Sequence, residues 1–506
     1  MGKSKTPSFI CEIPLRAGQH EERVLLVRLD CARQVYNACL GEILKRLAKL
    51  KPSLEYKAAC KLPKGVKGSE EARARTKAFK EADELFGFRE YDLHAYARQF
   101  SHSWLGEHLD ALTVQKVATR AFLAARRYLF GMAGKPRFKG KGQFDSVEGK
   151  TNSSGILWRK NTVRWLGLEL SPILPAGDKV MEHGLSKPVK FVRLVRRKLN
   201  GKDRFHAQLI CEGMPYRKPW HKLGKGNTGM DLGPSTIAIV SEDGKTTFFQ
   251  RFCEELKSIQ EKIRCLQRRL DRSRRVSNPG NYNMDGTLKK GASKWIKTNS
   301  YSETQAKLAE LHRIQAAFRK SLHGRLVNLV LSLGDVFHLE KLSYKAFQRM
   351  FGKSVSFRGP ATFVALLRRK AANAGAKTNE FATRTTFLSQ ICLCGQKVKK
   401  LPSQRWHVCD CGVGPVQRDI FSAWLANFVN EDRLDAGQAH AAWPGVDALL
   451  RAASSGIEPA MGQGNPPNLA RGQSWLPANP DAQTDETLIK RRLVESPFLL
   501  VGTPGL

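Results

Sequence analysis

Hydrophobic residues recur at helical spacing in some parts of the chain and alternate with polar residues in others. Near the N-terminus, alternation predicts a short strand over residues 9 to 15. Helical spacing predicts helices over about 21 to 50 and about 92 to 130, while the Lys-rich stretch 51 to 82 has no clear pattern. The sequence therefore predicts a mostly α-helical module that ends at a flexible basic loop, 134–142, where Gly and Pro break the helix.

The pattern changes to short strands between about residues 145 and 215. Four segments alternate apolar and polar residues and are separated by turn residues: 155–158, 162–166, 189–195 and 205–211. Several short strands joined by turns are typical of a small barrel or sandwich. The basic residues among them predict a positively charged face.

Residues 223 to 430 combine strands with long helices. A strand hairpin is predicted to begin at Met230, and an amphipathic helix to begin near Leu256. Further along, the pattern predicts a loop, a helix, a strand and a helix, over about 276–300, 302–333, 336–340 and 360–374. Residues 452–506 are rich in Pro, Gly, Ser, Asn and Gln, which predicts a disordered tail.

The charge of the chain is strongly unbalanced. Its 506 residues include 85 Lys and Arg against 46 Asp and Glu, a formal net charge of +39. Such a protein binds polyanions readily, because every phosphate that it covers releases counterions. No apolar run approaches the roughly 18 residues of a transmembrane helix, so we expect no membrane partner. Nucleic acid is the leading partner class.

Four of the eleven cysteines lie within twenty residues of one another. They form two C-x-C pairs, each followed by Gly: Cys392 with Cys394, and Cys409 with Cys411. Paired thiolates with glycines that permit tight turns predict a structural Zn²⁺ site, although the usual spacing is C-x-x-C. A site that has lost its metal, redox-active thiols and replacement of one thiolate by His407 remain alternatives.

Three acidic residues are candidates for a catalytic metal site. Asp231 lies on a predicted strand, Glu340 ends a later strand, and Asp419 opens a predicted helix. Two-metal phosphodiester hydrolysis requires converging carboxylates, because Mg²⁺ or Mn²⁺ prefers hard oxygen ligands. Each acid taken alone would be interpreted as a solvated side chain, so their order along the chain carries the prediction.

Basic residues in three regions, together with Arg418, are candidate nucleic-acid contacts; for the hairpin and the helix face, solvated surface charge is the alternative. Those in the loop 134–142 stand beside an aromatic residue, others lie on a predicted hairpin, and others follow one helix face. The candidates are Lys135, Arg137, Lys139, Arg196, Arg197, Arg268, Arg272 and Arg418.

Several of these segments together resemble the split RuvC nuclease domain of the TnpB family, transposon-encoded RNA-guided nucleases related to compact type V CRISPR effectors. The resemblance rests on Gly229-Met230-Asp231-Leu232-Gly233, His338-Leu339-Glu340-Lys341-Leu342-Ser343, Leu388 through Gly412, and Arg418-Asp419. It covers roughly residues 8 to 430. The basic segment 135–139 is similar to a stretch that joins the helical and barrel modules in that family.

The resemblance implies an α+β multidomain protein with an RNase H-like fold, in which Asp231, Glu340 and Asp419 hold Mg²⁺. It also implies a guide RNA, a double-stranded DNA target next to a short motif, a possible homodimer on one RNA, and a cytoplasmic, nucleoid-associated location in a prokaryote. The implied domains are a wedge β-barrel (1–20 and 136–222), an α-helical recognition module (21–135), a RuvC domain (223–390 and 413–451), and a zinc-ribbon target-loading element (391–412).

Two features depart from the family pattern. Phe421 stands two residues after the last acid, where the family commonly has Asn, and both cysteine pairs are one residue short. All three carboxylates are nevertheless present, so we expect an RNA-guided DNA endonuclease. A guided protein that silences by binding without cutting, and an unguided DNA-binding transposition accessory protein, remain alternatives.

Overall fold

The computed structural model describes residues 6–292, 294–401, 404–455 and 457. These fall into two compact units, Met1–Tyr216 and Arg217–Leu506. Both combine helices with antiparallel strands, which confirms the mixed α+β content. Across the described residues, no helix has the length and apolar character needed to cross a membrane.

The first unit contains six α-helices and seven strands among its described residues. The helices are α1 (Gln19–Leu50), α2 (Leu54–Lys61), α3 (Glu70–Leu85), α4 (Glu90–Ser101), α5 (Ala111–Leu129) and α6 (Lys179–Leu185). The strands are β1 (Ser8–Arg16), β2 (Ser146–Glu148), β3 (Leu157–Arg159), β4 (Thr162–Trp165), β5 (Leu168–Pro172), β6 (Val189–Leu199) and β7 (Lys202–Glu212).

The seven strands form one antiparallel sheet in the order β2-β6-β7-β1-β5-β4-β3. The sheet curls so that β3, at one end, lies near β6 at the other. One continuous hydrophobic core joins its inward-facing residues to α1 and α5. The predicted strands are confirmed, and the sheet has the curled form expected for a small barrel.

A buried polar network connects the helices of this unit to the sheet. Asp110 caps α5 by accepting from the Thr113 N–H (2.9 Å), and it also accepts from Trp165 Nε1 (2.8 Å). The buried Arg28 guanidinium of α1 lies over the Trp165 ring and donates to the Trp165 and Leu166 carbonyls at 2.6 and 2.7 Å. The Asp110 carboxylate thus caps α5 and accepts a hydrogen bond from Trp165. The ring of Trp165 in turn packs against Arg28 of α1.

The second unit contains nine strands and seven α-helices among its described residues. The strands are β8 (Asn227–Leu232), β9 (Thr236–Ser241), β10 (Thr247–Arg251), β11 (Val336–Glu340), β12 (Lys377–Phe381), β13 (Trp406–His407), β14 (Val416–Gln417), β15 (Val429–Asn430) and β16 (Arg433–Leu434). The helices are α7 (Lys257–Ser277), α8 (Asn299–Leu333), α9 (Tyr344–Arg358), α10 (Pro360–Ala374), α11 (Thr383–Thr386), α12 (Arg418–Leu425) and α13 (Ala436–Ser455).

The main sheet of this unit has the order β10-β9-β8-β11-β12. The first three strands are antiparallel to one another, and β11 pairs parallel to both β8 and β12. Helices α8 and α10 cover one face, where Met230, Phe337 and Leu339 are buried. Helices α12 and α13 cover the other face, where Ala238 and Val240 are buried.

The structure corrects the sequence prediction at several places, and β2, β5 and α6 of the first unit are elements that the prediction lacked. Residues 51 to 82, which showed no pattern, contain α2 and most of α3. Helix α9 and the edge strand β12 were missed, because α9 is kinked at Phe351 and β12 is mostly polar. The predicted tail begins too early, because α13 continues to Ser455, and residues 458–506 lie outside the described residues.

Replacing Asp110 with Ala should lower the free energy of unfolding by about 2 to 4 kcal/mol. The loss combines about 1 kcal/mol for the α5 cap with the cost of leaving Trp165 Nε1 without an acceptor. Asp110→Asn keeps an acceptor oxygen and should lose less than half as much. Urea unfolding followed by circular dichroism measures both; equal stability of Asp110→Ala and the unmodified protein would contradict the role of the network.

Candidate functional site

The strand register places Asp231 and Glu340 side by side on one face of the second unit's sheet. Leu339 of β11 pairs with Met230 of β8, so the next residues along these parallel strands, Glu340 and Asp231, are neighbours. Because side chains alternate, both acids point away from the face where Met230 and Leu339 are buried. They therefore share the face that α12 covers.

Helix α12 brings Asp419 to the same face. At Gly229, two residues before Asp231, a Cβ atom would lie 1.9 Å from the Ala423 carbonyl, so only glycine lets this helix approach so closely. Asp419 lies one turn before Ala423, in the first turn of α12, and is 8 % exposed. Gln417 caps the helix by accepting from the Ile420 N–H at 2.8 Å.

The three carboxylates affect one another electrostatically. The pKa of Asp231 is held well above its usual value by burial, and the charges of Asp419 and Glu340 raise it further. Burial also raises the pKa of Glu340, from 4.5 to about 7. Acids that repel one another in a poorly solvated place favour the binding of protons or of a cation.

Two arginines contact Asp419 from the segment that precedes it. Arg405 Nη1 lies 3.4 Å from Asp419 Oδ2, and the Arg418 guanidinium lies 3.3 Å from Oδ1. Arg418 also donates to the Leu401 and Gln404 carbonyls at 3.1 and 2.8 Å. Arg418, predicted to contact nucleic acid, is thus already engaged within the protein. Sequence reasoning missed Arg405, because no pattern marks a residue that approaches Asp419 only through the fold.

The acidic residues fit a hard divalent cation by chemistry and by charge. Their donors are carboxylate oxygens, which Mg²⁺ and Mn²⁺ prefer, and their mutual repulsion would be relieved by a bound cation. They are less tightly grouped than the cysteines. Among the described residues, only the four cysteines bring three or more Cys, His, Asp or Glu ligand atoms close together.

The four cysteines form a compact cluster. Their Sγ atoms all lie within 4.8 Å of one another. Cys392 Sγ is 3.5 Å from Cys411 Sγ, and Cys394 Sγ is 3.6 Å from Cys409 Sγ. Tetrahedral Zn²⁺ with bonds near 2.3 Å places its sulfur ligands about 3.8 Å apart. The spacing of these thiols therefore fits a structural zinc ion, with all four ligand positions filled by sulfur.

The two C-x-C-G segments adopt the same turn. The Gly395 N–H donates to the Cys392 carbonyl and the Gly412 N–H to the Cys409 carbonyl, both at 3.0 Å. Both glycines have left-handed backbone angles, with φ of +83° and +89°. The short spacing thus still closes a turn that brings each cysteine pair together. The Val413 N–H donates to Cys411 and lowers the pKa of its thiol to about 7.

His407 and Phe421 belong to the hydrophobic core. Their rings are 4.3 Å apart between centroids, and Phe421 also packs against Trp424 and Trp443. Phe421 follows Asp419 by two residues, which places it on the opposite side of α12 from the acids. Its departure from the family pattern therefore leaves the acidic face unobstructed. His407 is not one of the clustered metal ligands.

The structure places the remaining basic candidates in three settings. Arg196 pairs with Asp145 (2.5 Å) and Arg197 with Glu12 (2.6 Å), so both already have acidic partners. Arg268 and Arg272 are exposed on α7, four residues apart on one face. The basic loop carries exposed candidates at its surface: Lys135, Arg137 and Lys139. Contact of these residues with nucleic acid remains a prediction.

Two solved structures are similar to this chain. One, from the cryo-EM structure of a Cas12f1–sgRNA–target DNA complex, has a TM-score of 0.42 and 10% identity over 84% of this chain and 99% of its own. The other, from a CRISPR-Cas12f ternary complex, has a TM-score of 0.28 and 12% identity over 81% and 82%. Both TM-scores are too low to establish a common overall fold. No protein-family model matches the chain, and no curated protein does.

The stability of the metal-free protein should fall as the pH rises from about 4.5 to about 7. Unfolded Glu340 loses its proton near its usual pKa of 4.5, whereas folded Glu340 keeps it up to about 7. The folded state is favoured fully below this window, and Glu340 alone accounts for a loss on the order of 3 kcal/mol across it. Thermal melting against pH measures this loss.

Glu340→Gln is the control for this pH dependence: an amide does not titrate, so the profile should become less steep and keep only the part that Asp231, whose pKa is also raised, contributes. Mg²⁺ should raise the melting temperature more at a pH of about 8 than at about 5, since protons compete with the cation for the same carboxylates. A Mg²⁺ effect that is equal at both values would contradict a carboxylate site.

The protein should bind one zinc ion per chain through the four cysteines. Cys392→Ser should lose the metal and lower the melting temperature by about 5 to 10 °C, because a structural ion contributes directly to folding. Cys265→Ser, at an exposed cysteine of α7, should keep it. Elemental analysis of the purified variants measures the zinc; full zinc content in Cys392→Ser would exclude this ligand set.

Proposed function

We propose that this protein is an RNA-guided DNA endonuclease with a RuvC-type nuclease site. The proposal rests on three acidic residues that lie on one face of the second unit's sheet. Asp231 and Glu340 are neighbours on adjacent strands, and α12 brings Asp419 to the same face. Three antiparallel strands followed by two parallel ones, with helices on both faces, are also what the RNase H-like fold implied by the sequence resemblance requires.

Asp231, Glu340 and Asp419 would hold the catalytic Mg²⁺ or Mn²⁺. When bound, such ions activate a water for attack on phosphorus and stabilise the leaving oxygen. The protein's own contribution is to fix the carboxylates on a rigid sheet and helix, out of bulk water. Arg405, one-third exposed beside Asp419, is placed to contact a phosphate oxygen of the strand that enters.

A guide RNA and a double-stranded DNA target account for the basic character of the chain. A heteroduplex of about 20 base pairs presents many phosphates, and a formal net charge of +39 suits their coverage. Sequence would be selected by base pairing, while the protein contacts the backbone. The zinc-ribbon element would load the target, and the protein would act at the nucleoid in the prokaryotic cytoplasm.

The guide is tested by expressing the protein with its native flanking DNA and sequencing the RNA that co-purifies. A constant scaffold joined to a transposon flank supports a TnpB-like nuclease, and a constant repeat joined to many spacers supports a CRISPR effector. Random cellular RNA that moderate salt removes would exclude a guided function.

Asp231→Ala should reduce cleavage of a matched DNA target in Mg²⁺ by at least about 100-fold, because it removes a metal ligand. Binding of the guide RNA should be unchanged, since the substitution lies within the acidic face. Glu261→Gln, on the exposed surface of α7, removes one negative charge elsewhere and should leave cleavage intact. Full cleavage by Asp231→Ala would exclude this site, and guided binding without cleavage by the unmodified protein would indicate a silencing protein.

A further inference from the structure

The basic loop between the helices and the sheet of the first unit is held in place rather than free. Asn37 of α1 donates through Nδ2 to the Lys139 carbonyl (2.9 Å), and its Oδ1 accepts from the Lys139 N–H (2.8 Å). Gly140 and Gln143 then close a turn with two further hydrogen bonds of 3.0 Å. The loop is therefore anchored to α1 at Lys139.

The residues of α1 that hold the loop lie on one face of the helix. Arg33 donates to the Lys139 carbonyl (3.3 Å), Asn37 binds the same residue, and Gly41 follows four residues later. A Cβ atom at Gly41 would lie 3.8 Å from the ring of Phe138, so this ring rests against the helix at the glycine. Spacing of four residues places all three on a single stripe.

Phe138 is an aromatic ring supported on one side and open on the other. It is 58 % exposed although it contacts α1, and its neighbours along the loop are exposed cations. A fixed ring flanked by positive charge matches the requirements of a nucleic-acid strand, in which phosphates alternate with flat bases.

We propose that Phe138 is a stacking platform for an unpaired nucleobase. The occupant is a base of a single-stranded segment, because bases inside a duplex already have both faces covered by their neighbours. Arg137 and Lys139 would contact the phosphates on either side of that base. Asn37 holds the loop against α1 through its hydrogen bonds to the Lys139 backbone, and so keeps the Phe138 ring in position. This inference rests on the proposed nucleic-acid binding but not on cleavage, and it concerns the first unit alone.

The test compares short single-stranded oligonucleotides with the same strands carrying abasic sites, which keep the phosphates and lack the bases. Phe138→Ala should bind the complete strand roughly 5- to 100-fold more weakly than the unmodified protein. On the abasic strand the two proteins should bind equally. Phe138→Trp should restore binding of the complete strand, because the larger ring also stacks. Parallel DNA and RNA series show which strand supplies the base.

Matched variants separate stacking from charge and from folding. Phe130→Ala removes a ring of the same 58 % exposure, whose face is covered by the Arg126 guanidinium, and should leave both affinities unchanged. Arg137→Gln should weaken both strands alike and lower the salt slope by about 1. Asn37→Ala should lower the affinity for the complete strand by part of the Phe138→Ala effect and leave the affinity for the abasic strand unchanged, because the loop that carries Phe138 loses its hydrogen bonds to α1.

Equal affinity of Phe138→Ala and the unmodified protein for the complete DNA and RNA strands would overturn the inference. A loss of the same size on complete and abasic strands would also overturn it, because such a loss cannot come from a base. These results are distinct from failure of the proposed endonuclease. A loss of cleavage by Asp231→Ala would concern the proposed endonuclease alone and has no bearing on Phe138.

Discussion

The parallel pairing of β8 with β11 is the constraint on which the acidic site depends. A strand register has a period of two residues, so a slip of one position would turn Glu340 away from Asp231 and into the hydrophobic face. Met230 and Leu339 prevent that slip, because their burial on the opposite face is lost if either strand moves. The burial of Met230 and Leu339 therefore supplies the free energy that holds the Asp231 and Glu340 carboxylates side by side against their mutual repulsion.

The second requirement is the close approach of α12. Gly229 removes the side chain that would keep the helix from the sheet, and the burial of Trp424 and Phe421 holds the helix down. The raised pKa of Asp231 is a direct result of this packing, since the hydrophobic core excludes the water that would otherwise solvate the acids. The same packing that stabilises the second unit thus creates the conditions in which a divalent cation is favoured.

Five strands of the barrel-like sheet and the strand ending at Glu340 were predictable, because each carries its own alternation of apolar and polar residues; β2 and β5 were not predicted. The order of the three acids indicated a site, but their proximity required a pairing between strands about one hundred residues apart, which no local pattern contains. Arg405 and Asn37 were not predictable for a related reason. Both act through contacts with residues distant in sequence, and neither residue type marks such a contact. Helix α3 is missing from the prediction because its surface is mostly polar, with Ala82 its one buried residue.

The hydrogen bonds from Arg418 to the cysteine-rich segment have a consequence for which substitutions that segment tolerates. Arg418 donates to the carbonyls of Leu401 and Gln404, which every amino acid provides. Substitutions at those two positions would leave the connection between the cysteine turns and Asp419 in place. The side chains at those two positions are therefore replaceable without loss of these contacts, whereas the cysteines and the left-handed glycines on either side are fixed by residue type.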